Sequence, residues 1–145
     1  MIPVARPAAA VEWHGRGTML VIDNDDHMRP LTARLLEHLG WTVVTAADGR
    51  SGLDVFQVHR DAIDCVLLDL SMPGMHGAEV AHTLRRLNPD LPILVMSGYS
   101  EAEITATLVD AARMYVLAKP FQLDDLRQLL YQALHGRGRA NELGG

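Results

Sequence analysis

Asp23, Asp69, Ser97 and Lys119 carry groups that together could handle a divalent metal and a phosphoryl group, and each one closes a short apolar run. Met19-Leu20-Val21-Ile22 leads into Asp23, Cys65-Val66-Leu67-Leu68 into Asp69, Ile93-Leu94-Val95-Met96 into Ser97, and Tyr115-Val116-Leu117-Ala118 into Lys119. Two carboxylates brought side by side repel each other and invite a hard cation with oxygen ligands. With that cation in place, one carboxylate is left to act as a nucleophile toward phosphorus. The Lys119 ammonium would neutralise charge on the transferred group, and the Ser97 hydroxyl would hydrogen-bond one of its oxygens.

Such convergence needs elements that bring the four run ends to one edge. Short apolar runs bounded by polar residues are the pattern of parallel strands buried on both faces. The sequence predicts strands over 18–23, 41–46, 63–69, 93–96 and 114–118, separated by helical segments. The first helix is capped by Asp25 or Asp26, carries Leu31, Leu35, Leu36 and Leu39 on one face, and stops at Gly40. The second begins at Asp48-Gly49 with Leu53, Val55 and Phe56 as its apolar positions, and the third places Val80, Leu84 and Leu87 on one face. A fourth is expected over about 101–112 and a fifth over about 123–134. Strand-helix alternation with right-handed crossovers gives a doubly wound α/β domain over 17–136 with a five-stranded parallel sheet, read here in the flavodoxin-like order 2-1-3-4-5 that makes strands one and three neighbours. In such a sheet, ligands gather at the carboxyl ends of the strands, where these four residues lie. Residues 1–16 and 137–145 are expected to be flexible extensions.

The composition narrows the function. At 145 residues and 48% hydrophobic, the chain is one domain with a real core. A net charge of -5 and 5% aromatics argue against a nucleic-acid surface or a base-stacking platform. No run approaches the ~20 apolar residues of a membrane span. Cys65 is alone inside an apolar run, so it is expected to be a buried hydrophobe, in keeping with a reducing cytoplasm. The histidines show no metal-ligand spacing, which argues against a zinc site, and His76 is expected to be surface.

The blocks Val21-Ile22-Asp23-Asn24-Asp25, Leu67-Leu68-Asp69-Leu70-Ser71-Met72-Pro73-Gly74, Val95-Met96-Ser97-Gly98 and Lys119-Pro120-Phe121 resemble the signature blocks of bacterial response-regulator receiver domains. They fall in that family's order and spacing across about 120 of the 145 residues, and their combination is far more specific than any one block. The resemblance implies that Asp69 is the phosphoacceptor and that Asp23, Asn24, Asp69 and the backbone of Ser71 hold Mg²⁺. It further implies that Ser97 is the switch hydroxyl, that Lys119 pairs with the phosphoryl group, and that the Lys119–Pro120 peptide is cis. The implied partner is a histidine kinase or histidine phosphotransfer protein, and the chain is a signalling domain rather than an enzyme with a separate substrate. Three positions depart from the family pattern: Asn24 stands where a second acid is usual, Val116 where an aromatic is usual, and Ala112 where a glycine is usual. Strand alternation places the neighbouring Tyr115 on the opposite face from Val116.

Two other functions compete. Asn24 and Val116 suit a pseudo-receiver that binds a partner without being phosphorylated. A small metal-dependent phosphatase would need a general acid/base beside Asp69, and Ser71 occupies that place. Asp25 and Asp26 fit best as helix caps.

Overall fold

The structure, a computed structural model, describes residues 17–70, 77–98 and 113–144, with side chains as far as Leu134. Strands β1 (Thr18–Ile22), β2 (Thr42–Ala46), β3 (Ile63–Asp69), β4 (Ile93–Ser97) and β5 (Met114–Ala118) form one parallel sheet in the order β2-β1-β3-β4-β5. The described helices are α1 (Met28–His38), α2 (Gly49–Val58), α3 (Gly77–Leu87) and α4 (Leu123–Gly144). The helix expected over 101–112 lies outside the described residues.

The apolar runs are continuous because both faces of the sheet are covered. Leu20 and Ile22 of β1, Val66 and Leu68 of β3, and Ile93 and Val95 of β4 pack with Phe56 of α2 and Val80 and Leu84 of α3. The alternate residues Met19, Val21, Cys65, Leu67, Leu94 and Met96 pack with Leu36 of α1 and Leu126, Leu130 and Ala133 of α4. Period-two alternation therefore divides each strand between two cores. Tyr115 joins the α1/α4 core and Val116 the α2/α3 core, as the alternation predicts.

Helix ends are set by local hydrogen bonding. Asp48 caps α2 by accepting from the Ser51 N–H at 2.8 Å. Gly40 adopts φ 101°, and its N–H donates to the Glu37 carbonyl while the Trp41 N–H donates to that of Leu36. That pair of bonds is a Schellman motif, sealed by Trp41 and Leu36 in the same core. Trp41 thus closes α1 and does not open β2, which begins at Thr42.

Two further expectations are corrected. Leu31 is 51% exposed, because it lies five residues, or roughly 140° of helical rotation, from Leu36, whereas Thr32 shares Leu36's face. The last helix does not stop near Leu134, and the backbone is helical through Gly144 over most of the span expected to fray. Gly136 and Gly138 each weaken a helix by about 1 kcal/mol, but no proline forces a break. No helix among the described residues is long and apolar enough to cross a membrane.

Candidate functional site

The strand order sets β1, β3, β4 and β5 side by side, so Asp23, Asp69, Ser97 and Lys119 meet at one edge. The ladder continues past the strand ends and fixes the first residue of each loop. Asp23 N–H donates to Ala46 O (3.1 Å), Leu70 N–H to Met96 O (3.1 Å) and Lys119 N–H to Ser97 O (2.8 Å). The Lys119–Pro120 peptide is cis, as the family resemblance implies.

Asp23 and Asp69 are each only 2% exposed. Lys119 Nζ stands 3.1 Å from Asp69 Oδ1, an ammonium set against a buried carboxylate. Burial pushes the Asp23 carboxyl up to about 6. The Asp25 N–H, donating to Asp23 Oδ1 at 2.9 Å, opposes that rise, whereas the charge of Asp69 and a carboxyl-carboxyl hydrogen bond with it add to it. Two buried acids set against each other are a site prepared for positive charge. Ser97 is also buried, and its Oγ donates to the Gly98 carbonyl at 3.0 Å.

A cavity of about 430 Å³ opens beside these groups, lined by Asp23, Asp25, Lys119 and Thr32 with the apolar Met28, Met96, Pro120 and Phe121. Among the described residues no three His, Cys, Asp or Glu side chains converge as a metal cage. The carboxylates that meet at this edge are the pair Asp23 and Asp69. That set fits Mg²⁺, which commonly takes one or two carboxylates, keeps several waters and leaves positions for phosphate oxygens.

Of the residues read from the sequence, the structure brings together Asp23, Asp69, Ser97 and Lys119. Asn24 is exposed and is not among the residues lining the cavity. Ser71 lies outside the described residues, as do His76 and Ala112. Sequence reasoning missed two features of the β1–α1 turn. Arg29 Nη1 donates to the Asp23 carbonyl (2.9 Å) and its Nη2 pairs with Asp26 Oδ1 (2.8 Å), tying the turn to the first helical turn. Asp25 caps α1 as expected, its Oδ1 accepting from the N–H groups of His27 (2.9 Å) and Met28 (3.0 Å), yet it also faces the cavity. The Met28 and His27 bonds hold its carboxyl below the usual range. The spacing of Asp25 and Arg29 hints at a shared helical turn, but nothing in their types reveals which way either points.

A model of the response regulator receiver domain matches residues 19–131. Response regulator MprA of Mycolicibacterium vanbaalenii is 38% identical over 108 residues, which is 74% of this chain and 46% of that protein. Sensor kinase CckA of Brucella abortus is 31% identical over 125 residues, 86% of this chain and 13% of the kinase. The chain thus spans less than half the length of these curated relatives. Among solved structures, chemotaxis protein CheY4 of Vibrio cholerae superposes with a TM-score of 0.73 at 28% identity, covering 81% of this chain and 98% of that one. The receiver domain of NtrX from Brucella abortus gives 0.74 at 27% identity over the same shares. With the fold, the order of the motif blocks and a family match over most of its length in agreement, the chain belongs to the response regulator receiver domain family of two-component systems.

Proposed function

We propose that Asp69 accepts a phosphoryl group from a phosphohistidine of a histidine kinase or histidine phosphotransfer protein, with Mg²⁺ held by Asp23 and Asp69. The observation that carries this reading is the buried Asp69 carboxylate, with Lys119 Nζ at 3.1 Å and Asp23 against it. An oxygen of Asp69 attacks phosphorus, the P–N bond to the donor imidazole breaks, and the electron pair leaves with the imidazole nitrogen. Lys119 follows the charge from the carboxylate onto the transferred phosphoryl oxygens. Mg²⁺ supplies positive charge to the carboxylates and to the phosphoryl oxygens. The Ser97 hydroxyl, now bonded to the Gly98 carbonyl, turns to a phosphoryl oxygen and so biases the loop after β4, a protein-binding face. A single cysteine, buried Cys65, is consistent with a cytoplasmic setting.

The exposed Asn24 amide favours one second reading, a pseudo-receiver that works without phosphorylation. One experiment separates the two. Incubation of the full chain with acetyl phosphate and Mg²⁺, followed by intact-mass analysis, is expected to add one phosphoryl group to wild type and none to Asp69→Ala. Equal labelling of Asp69→Ala would overturn the assignment, and an unlabelled wild type would favour the pseudo-receiver.

A further inference from the structure

The β1–α1 turn offers three consecutive side chains that could serve a cation, and the structure treats them differently. Asp23 is buried against Asp69. Asn24, where a second acid is usual, and Asp25 are both exposed, but Asn24 is not among the residues lining the cavity. Asp25 lines it, together with Asp23, Lys119 and Thr32, the last only 1% exposed on the wall one turn along α1. The orientation of Asp25 is rigid. Its Oδ1 accepts from two N–H groups at the start of α1, and its own N–H donates to Asp23 Oδ1. Among the described residues no hydrogen bond reaches its Oδ2.

Asp25 does not complete a three-carboxylate cage, since no such group exists among the described residues. Mg²⁺ gives up its waters reluctantly and is bound in part through them. A fixed carboxylate at the cavity wall is placed to accept hydrogen bonds from such waters, and partners of this outer kind orient and strengthen metal binding.

We infer that Asp25 is an outer-shell anion of the Mg²⁺ site, holding metal-bound water through Oδ2 and restoring the negative charge that Asn24 removes. This rests on the proposed Mg²⁺ role of Asp23 and Asp69. Asp25 is a positioning residue here, acting through water on the ion.

Asparagine caps helices about as well as aspartate, so Asp25→Asn removes the charge and keeps the cap. Asp26→Asn is the matched control, because Asp26 has the same charge but an 83% exposed side chain paired with Arg29. Calorimetric Mg²⁺ titration of the full chain is expected to show affinity falling about tenfold in Asp25→Asn and less than about twofold in Asp26→Asn. Melting points in EDTA should stay close to wild type for both, and Asp25→Ser, another capping residue, should repeat the Asp25→Asn result. Equal weakening by Asp25→Asn and Asp26→Asn would mean long-range charge alone and overturn the inference, as would wild-type affinity in Asp25→Asn. Asp23→Asn tests the underlying reading separately. If it leaves Mg²⁺ affinity unchanged, or if wild type binds no Mg²⁺, the metal site itself is wrong and the role of Asp25 falls with it.

Discussion

At the level of single residues, the site is governed by how much negative charge the buried edge must hold. Asp23 is raised from 3.8 to about 6, so in metal-free protein its ionised form costs stability above about pH 6. The folded state binds the extra proton between those values, and Asp23's contribution to stability is lost as pH rises from about 4 to 6. Asp23→Asn removes the charge and keeps an acceptor for the Asp25 N–H. In EDTA at pH 7.5 it should therefore raise unfolding free energy by about 2 kcal/mol, allowing for screening through the open cavity, and the gain should vanish near pH 4. Urea unfolding at both pH values checks this, and an equal gain at both would remove the ionised carboxylate as its cause. Asn24→Asp runs the opposite way. A unit charge pair at ~4 Å is worth about 4 kcal/mol at an effective dielectric near 20, and the exposure of residue 24 reduces that sharply. Mg²⁺ should bind about three- to tenfold tighter in Asn24→Asp, with slightly lower metal-free stability. Calorimetric titration and melts decide it, and unchanged affinity would mean that a charge at residue 24 does not reach the ion.

Among the secondary-structure elements, the tightest constraint on the site is where α3 meets the end of β3. A Cβ on Gly77 would lie 2.6 Å from Leu70 Cα and 3.1 Å from the Asp69 carbonyl oxygen. Backbone cannot swing aside as a side-chain tip can, so Gly77→Ala must move either the helix or the residue after the phosphoacceptor. It should cost about 1–3 kcal/mol and slow acetyl phosphate labelling of Asp69. Asp48→Ala provides the contrast. It deletes the α2 cap, whose carboxylate does not line the cavity, so about 1 kcal/mol should be lost in urea unfolding while the labelling rate stays unchanged. If Gly77→Ala labels at the wild-type rate, the close packing of α3 does not position Asp69.

Considered as a whole molecule, the domain is held by two apolar cores, one on each side of the sheet, so segments outside those cores should be expendable. Among the described side chains, the fully buried contacts of α4 come from Leu126, Leu130 and Ala133. We propose that residues 17–136 are the autonomous unit, although α4 continues beyond it. Trimming the chain to 17–136 should leave the thermal midpoint within a few degrees of full length. A fall of more than about ten degrees would mean that a terminal segment docks on a core.

The amino-acid sequence alone determined the parallel sheet and the edge where chemistry collects, and the flavodoxin-like strand order read for it is the one the structure has. The bounds of β3 and β5 were legible to the residue, because a strand packed between helices has an apolar middle and admits charge toward its ends, as at Asp64 and Asp69 of β3 and at Lys119 just after β5. Asp69 and Lys119 were visible for the same reason. Tertiary structure alone decided matters within the β1–α1 turn and at helix ends. Asn24 faces solvent while Asp25 faces the cavity, and Arg29 grips the Asp23 carbonyl. Leu31 is exposed while Thr32 is buried, and α4 passes two glycines. A short turn has no periodicity to read. The directions of its side chains follow from hydrogen bonds that exist only once strand, helix and cavity are in place.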